Sequence, residues 1–325
     1  MFRFALAAAL ALAASPAWAG SHTAAIESPE CVAPAKPGGG FDLTCRIAQE
    51  GLKGQLDKPL QVTFMPGGIG AVAINAFNTT RKDDANAIVA FSSGSLLNMA
   101  TGKYGEFNES NVKFLATAGA DFGAIVVRAD GPYQTLDDLM NKLKADGPDS
   151  VVIGAGGSVG SQDWMKGALL LKSRDMDPKA MRYVAFDGGG EAIAALLGGS
   201  IEAYMGDVGE MVSYMGDGKL KILAVMSPER LPEPFQDVPT TAELGYDGAE
   251  WVILRGFYMA PDAPQEAYDA YVKAFQAAYE TPEYKEVQRS KGLLPLDMAG
   301  EEFQADVMKR VERMRGIAKE AGLIQ

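Results

Sequence analysis

Short apolar runs alternate with longer amphipathic stretches over most of the chain. Nine runs have the length of strands, and several lead directly into a turn of glycine or serine residues. The predicted strands are residues 31–35, 60–64, 87–91, 124–127, 151–154, 182–185, 203–205, 222–226 and 256–259. Strands that alternate with helices in this way predict an α/β fold.

Helical periodicity follows many of these turns. Apolar residues recur at helical spacing after Asp42 and after Thr135, whose partner Asp138 gives an approximate capping box. Residues 264–280 and 301–322 have the same spacing and are predicted to close the chain as helices.

The first residues have a different pattern. Arg3 precedes an apolar run at residues 4–14, and Ala17-Trp18-Ala19 ends it with a small-x-small sequence. This pattern is typical of a secretory signal peptide, here residues 1–19 with cleavage after Ala19. The run is shorter than the roughly 20 residues of a membrane span, and no later apolar segment approaches that length. We therefore expect a soluble, periplasmic protein.

The mature chain of about 300 residues is longer than one hydrophobic core usually organises, which predicts two lobes. Two segments have the pattern of crossings between the lobes: residues 124–130, which read as extended, and residues 227–239, which contain four prolines. We predict that lobe one comprises residues 20–125 plus 229–325 and that lobe two comprises residues 126–228. Two crossings would leave a hinged cleft.

Charge and histidine content exclude several classes of function. The formal net charge is −12, and loss of Arg3 with the signal peptide leaves −13, which disfavours nucleic acid and anionic lipid as partners. The single histidine, His22, lies three residues beyond the predicted cleavage site, where we expect a frayed chain. Histidine-based catalysis and histidine-ligated metals are therefore not expected, and we predict neither a metal nor a cofactor.

The two cysteines, Cys31 and Cys45, stand 14 positions apart. In an exported chain, such a close and even pair indicates a disulfide, which would stabilise the fold by on the order of 3 kcal/mol. Two free thiols are the alternative, because the distance between them is not visible in the sequence.

The main alternative to a protein without a cofactor is a dinucleotide-binding turn. Gly68 begins a G-x-G-x-x-A sequence after a strand, but the next strand ends at Ser92-Ser93 without an acidic residue for a ribose. The G-x-x-x-x-G-K-[ST] sequence of phosphate-binding loops does not occur. A tight turn is the favoured interpretation.

Five strand ends carry glycine- or serine-rich turns, at residues 37–42, 66–70, 92–95, 154–161 and 187–190. Glycine lets a ligand approach the backbone closely, and the free N–H groups at the start of a following helix carry partial positive charge. A single turn of this kind is equally well explained as a tight connection between a strand and a helix. Five together indicate a cleft in which an acidic protein binds an anion through local dipoles.

Three charged side chains beside these turns have two interpretations each. Lys36 adjoins the first turn and either contacts a carboxylate or is solvated. Asp42 is favoured as the N-cap of the following helix, although cap residues can line a site. Asp207 either faces the cleft or caps a turn. We include all three among the ligand-binding candidates.

The turn sequences resemble those of a known family. Residues 33–42, APAKPGGGFD, and residues 66–70, PGGIG, are similar to the two signature turns of the tripartite tricarboxylate transporter substrate-binding (TctC/Bug) family. Further similar stretches follow in the same order, at residues 186–192 with 196–199 and at residues 239–246. The chain departs from the commonest family pattern at Lys36-Pro37, where an apolar residue or proline often precedes the glycines.

The resemblance implies a type 2 periplasmic binding protein fold, in which two α/β lobes close on the ligand. It also implies that backbone amides and small hydroxyls hold a ligand carboxylate. The implied contacts are Gly39, Gly40, Phe41, Asp42, Gly68, Ser92 and Ser93, with Gly156, Ser161 and Gly189 from lobe two. A tri- or dicarboxylate like citrate or tricarballylate is the implied ligand. The membrane permease subunits of a tripartite tricarboxylate transporter are the implied partner, and we expect a monomer.

Two other functions compete with transport. A receptor that presents its ligand to a sensor kinase would need the same cleft, so the sequence does not separate the two. A secreted enzyme would need paired carboxylates, for which Asp83-Asp84 and Asp137-Asp138 are the adjacent pairs. The first pair lies in a polar loop, and the second lies in the first turn of a helix, where acids suit the dipole. We therefore predict solvated acids and no enzyme.

Overall fold

The computed structural model describes residues 25–320 and residue 324. The predicted signal peptide at residues 1–19, its cleavage site after Ala19, and His22 lie outside the described residues. Residues 321 and 322, at the end of the last predicted helix, lie outside them as well.

Nine strands and ten α-helices make up the described part of the chain. The strands are β1 (Glu30–Ala33), β2 (Gln61–Phe64), β3 (Ala87–Ser92), β4 (Lys113–Arg128), β5 (Ile153–Gly156), β6 (Tyr183–Phe186), β7 (Ala203–Asp207), β8 (Leu220–Val225) and β9 (Val252–Met259). The helices are α1 (Gly40–Gly51), α2 (Ala71–Asn78), α3 (Ser93–Ala100), α4 (Leu136–Asp146), α5 (Gln162–Lys172), α6 (Gly189–Leu197), α7 (Val208–Met211), α8 (Gln265–Tyr279), α9 (Pro282–Ser290) and α10 (Glu301–Glu320). Every predicted strand overlaps an observed one, and the α/β class is confirmed.

The sheet runs in the order β2-β1-β3-β9-β4-β7-β5-β6, and β8 also pairs with β4. Strand β4 is much longer than predicted and connects the two lobes. Its first part, to Phe122, pairs antiparallel with β9, and its last part, from Gly123, pairs with β7 and β8. The early part was missed because residues 116–123 are rich in alanine and glycine, which are depleted in strands.

Two hydrophobic clusters form the cores of the lobes. The first draws on residues 26–118 and 254–311, and the second on residues 122–249. The first predicted crossing, near residue 125, lies within a few residues of this division.

The second predicted crossing, at residues 227–239, does not coincide with the division between the two hydrophobic clusters. After β8 the chain folds back on itself: the Val225 N–H donates to the Pro239 carbonyl over 3.0 Å, and the Thr241 N–H donates to the Val225 carbonyl over 2.9 Å. Leu231 and Phe235 consequently pack in the second cluster, with Tyr246. We propose instead that lobe one comprises residues 25–122 plus 252–320, and lobe two residues 123–251.

A disulfide joins Cys31 in β1 to Cys45 in α1, with their Cα atoms 5.6 Å apart. The predicted pairing is confirmed. The bond closes the loop that contains the first glycine-rich turn, so it restricts where that turn lies relative to the sheet.

The parallel strands bring the glycine-rich turns together. Strand β1 pairs in parallel with β2 and β3, and β5 pairs in parallel with β6 and β7. Because the carboxyl ends of parallel strands meet at one edge of a sheet, the turns after β1, β2 and β3 lie together in lobe one. The turns after β5 and β6 lie together in lobe two.

Candidate ligand-binding site

A pocket lies between the lobes, and all five glycine- or serine-rich turns line it. Seven of the twelve ligand-binding candidates contribute to its wall: Gly40, Phe41, Ser92, Gly156, Ser161, Gly189 and Asp207. The structure thus brings together turns that are up to about 150 residues apart in the sequence.

Three other candidates lie close to the pocket without lining it. A Cβ on Gly39 would lie 3.1 Å from the backbone nitrogens of Gly189 and Gly190, so Gly39 forms part of the contact between the lobes. Gly68 borders a second, neighbouring opening. The Ser93 hydroxyl accepts a hydrogen bond from the Leu254 N–H over 2.9 Å and therefore supports the sheet.

The two remaining candidates, Lys36 and Asp42, are engaged with protein groups. Lys36 is about half exposed and forms an ion pair with Glu191 of lobe two. Helix α1 has Gly39 as its N-cap, so the predicted capping by Asp42 is wrong. Asp42 instead lies in the first turn of α1, where its carboxylate accepts from the Gly38 N–H over 2.8 Å. It shapes the glycine turn from inside the helix.

The starts of the helices differ in how they are capped. Helices α3 and α5 are capped by Ser92 and Ser161, whose hydroxyl oxygens accept from the Gly94 and Trp164 N–H groups. Helices α1, α2 and α6 follow glycine N-caps that supply no side-chain hydrogen bond. Free N–H groups at a helix start require a partner and carry the positive end of the helix dipole. The pocket wall at the starts of α1 and α6 can therefore bind an anion.

A buried network of charges forms the floor of the pocket. The Lys166 ammonium contacts Asp163 Oδ1 at 2.7 Å and also pairs with Asp207. The Arg255 guanidinium contacts Asp121 Oδ2 and Asp207 Oδ2, each at 2.6 Å from Nη2. Asp207, which also occupies the N-cap position of α7, joins the two cations and links lobe two to β9. Both buried cations are thus paired with carboxylates of the protein itself.

The network sets the protonation of its acids. Burial alone would raise the pKa of Asp207, but Lys166 and Arg255 lower that pKa on balance. Burial and the negative charge of Asp207 raise the pKa of Glu210 to about 8, so Glu210 is largely protonated at neutral pH. Its Oε2 already accepts from the Tyr204 hydroxyl and the Asp207 N–H. Its other oxygen, Oε1, lies beside Gly189.

The acids of the network outnumber its cations. The carboxyls of Asp121, Asp163 and Asp207 face the two cations Lys166 and Arg255, and burial raises the pKa of Asp121 and of Asp163. The floor is net negative when all three carboxyls are ionised. An anion in this pocket gains from the helix starts and is repelled by the floor. Each additional negative charge on a ligand adds to that repulsion.

Comparison with known proteins gives the family. Residues 44–323 match the model of TctC, described as the tripartite tricarboxylate transporter family receptor. The chain belongs to this family. TctC proteins are periplasmic solute-binding receptors, so the resemblance seen in the turns and the prediction of a receptor rather than an enzyme are confirmed.

Solved structures are similar over nearly the whole chain. The periplasmic binding protein BugD has a TM-score of 0.79 at 23% identity, with 91% of this chain and 98% of BugD covered. MatC from Rhodopseudomonas palustris with bound malate has a TM-score of 0.74 at 18% identity, covering 89% and 98%. Rpa4515 of R. palustris with adipate has a TM-score of 0.78 at 18% identity, covering 91% and 97%. At these identities the likeness shows the fold alone, and the periplasmic binding protein fold is confirmed.

The lobes of this TctC receptor are closed on each other. The Ile69 N–H lies 3.4 Å from Asp187 Oδ1, and the Lys103 ammonium donates to the Val159 carbonyl over 3.2 Å. Together with the Lys36–Glu191 pair, these contacts join the rims of the two lobes. Ile69 adopts φ 49°, which is unfavourable for a β-branched residue and is typical of functional sites.

The sequence did not reveal five polar groups of the pocket wall: Asn98, Gln162, Asp163, Glu210 and Arg255. One of them left a signal, because Arg255 interrupts the otherwise apolar strand β9. Asp163 and Glu210 lie in the first turns of helices. Acidic residues are common there because they stabilise the helix dipole, so their position gave no sign of a binding site.

Within residues 25–320, no group of three or more histidine, cysteine, aspartate or glutamate side chains is placed to hold a metal ion. None of the helices in the same part of the chain is long and apolar enough to cross a membrane.

Proposed function

We propose that this receptor captures a small dicarboxylate between its lobes and delivers it to the membrane subunits of a tripartite tricarboxylate transporter. One observation carries the proposal: the starts of α1 and α6, one from each lobe, have no side-chain cap and line the same pocket between the lobes. An anion between them would receive N–H donors and favourable dipoles from both sides. Binding would therefore hold the lobes together.

Backbone amides, rather than cationic side chains, are the proposed carboxylate ligands. Lys166 and Arg255 are already paired with Asp163, Asp121 and Asp207. The Glu210 carboxyl, whose pKa is raised to about 8, can donate one further hydrogen bond when it is protonated. We propose contacts through the N–H groups of Gly40, Phe41 and Gly189. The Gly156 and Ser161 N–H groups already donate to Asp163 Oδ2 and to the Ser158 carbonyl, so these two residues shape the wall of the pocket. Lys36 and Asp207 would act in joining the lobes rather than in contacting the ligand.

The excess of acids over cations in the floor favours a ligand with two carboxylates over one with three. A citrate-like ligand would bring a third charge toward Asp163 and Asp207, and both cations of the described pocket floor are already paired with carboxyls. The malate bound to MatC and the adipate bound to Rpa4515 support a dicarboxylate. We therefore narrow the tri- or dicarboxylate that the sequence resemblance implies to a dicarboxylate.

Export and delivery complete the proposal. The pattern of residues 1–19 supports a signal peptide removed after Ala19, which would place the receptor in the periplasm with its family. One chain supplies both walls of the pocket, which supports a monomer as the working form.

Titration calorimetry tests the carboxylate proposal. We expect malate, succinate or adipate to bind at micromolar concentrations, and citrate to bind at least ten-fold more weakly. Succinamide is the matched control, because it keeps the shape of succinate and lacks both charges; it should not bind. The proposal is overturned if no carboxylate binds at millimolar concentration, or if succinamide binds as well as succinate.

A further inference from the structure

Gln162 is a polar residue of the pocket wall whose amide oxygen has no partner. It is the first residue of α5, follows the N-cap Ser161, and is 8% exposed. Among the described residues, no group forms a hydrogen bond with the buried Oε1 atom. A buried acceptor of this kind is costly unless another molecule supplies the donor.

The orientation of the amide is set by its neighbour Asp163. Gln162 Nε2 lies 3.5 Å from Asp163 Oδ1, which also receives the Lys166 ammonium. A rotated amide would place Oε1 against that carboxylate, acceptor against acceptor. The acceptor of Gln162 therefore points away from Asp163.

The Gln162 Oε1 atom lies between the two lobes. A Cβ on Gly94, in the first turn of α3, would lie 3.5 Å from Gln162 Oε1 and 3.1 Å from Gln162 Cβ. Both residues line the pocket, so the oxygen lies where the starts of α3 and α5 meet across the cleft. The starts of α1 and α6, where the ligand is proposed to bind, line the same pocket as Gln162.

We propose that the ligand of this receptor carries a hydrogen-bond donor, a hydroxyl or an ammonium group, beside its carboxylates, and that Gln162 Oε1 accepts from it. This inference rests on the proposed function and narrows its ligand class. A donor-bearing acid satisfies the buried oxygen, whereas an unsubstituted acid leaves it unpaired in the closed cleft. Sites built to bind a polar substituent discriminate strongly against the analogue that lacks it.

Three acids with the same four-carbon chain separate the possibilities: succinate without a donor, malate with a hydroxyl and aspartate with an ammonium group. We expect malate or aspartate to bind the receptor at least ten-fold tighter than succinate. In Gln162→Met, which keeps the length of the side chain and removes the acceptor, we expect the preference to fall below about three-fold. Which acid is preferred tells the hydroxyl from the ammonium group.

The matched control is Gln288→Met. Gln288 is fully buried in α9, donates to the Ala118 carbonyl over 3.0 Å, and also has an unpaired Oε1, but it does not line the pocket. This variant should lower the melting temperature and leave the preference unchanged. Equal affinity for the three acids, or a preference that survives in Gln162→Met, overturns the inference while carboxylate binding stands. Binding of adipate or citrate without binding of any of the three four-carbon acids also overturns the inference alone, whereas failure of every tested carboxylate to bind overturns both proposals.

Discussion

Replacing Gly190 with alanine should weaken dicarboxylate binding roughly 10- to 100-fold while leaving the ligand-free fold intact. A Cβ at this position would lie 2.3 Å from the Pro37 carbonyl oxygen of the opposite lobe, far inside the contact distance. The backbone atoms cannot give way as a flexible side chain would, so α6 must retreat from the first turn. An overpacked contact costs about 1–3 kcal/mol, and here it raises the free energy of the closed state alone. The population of the closed state therefore falls, and the affinity for the ligand falls in proportion to it.

Calorimetric titration with malate, together with thermal melting of the ligand-free protein, measures this effect. Alanine keeps the backbone N–H of residue 190, so a loss of affinity reports on closure rather than on a lost donor. Gly216→Ala is the matched control in the same lobe, because a Cβ there would meet no described heavy atom within 4 Å. Equal affinity in the two variants would show that the closed contact is not required for binding.

Replacing Arg255 with methionine should lower the free energy of unfolding by about 3–5 kcal/mol, the usual cost of breaking a buried ion pair from one side. Arg255 is 1% exposed, and the substitution leaves Asp121 and Asp207 without its charge in a buried site. The second variant Arg255→Met with Asp121→Asn should recover part of the loss. Asparagine can still accept through Oδ1 from the Phe122 and Gly209 N–H groups.

Urea unfolding of the three proteins gives the comparison. Arg289→Met serves as the control, because Arg289 pairs with Glu286 on the surface, with both side chains more than half exposed. Exposed pairs contribute at most about 1 kcal/mol, so this variant should be nearly neutral. A loss in Arg255→Met no larger than that in Arg289→Met would contradict a structural role for the buried network.

The turns could be predicted from the sequence because glycine and serine at a strand end report directly on backbone conformation. Gly40, Gly156 and Gly189 were found in this way, and the parallel pairing that brings them together follows from the α/β pattern. The disulfide followed from the number and spacing of the cysteines. These features depend on local chemistry, which a single sequence contains.

The charge network and the proposed second lobe boundary depend on contacts between residues that are distant in the sequence. Arg255 meets Asp121 and Asp207 from positions 134 and 48 residues away, and no local pattern marks those partners. The prolines at residues 227–239 predict a crossing between the lobes, although the same residues equally suit a segment that folds back onto β8. Net charge alone could not show that the cations of the site are already paired.

A crystal structure of the receptor with bound malate tests the central claim most directly, that backbone N–H groups at helix starts hold the carboxylates. We predict carboxylate oxygens within about 2.7–3.2 Å of backbone nitrogens at the starts of α1 and α6, in the closed cleft, with Lys166 and Arg255 still paired to Asp163, Asp121 and Asp207. A malate whose carboxylates displace those acids from Lys166 or Arg255, or that binds outside the cleft, would contradict the claim.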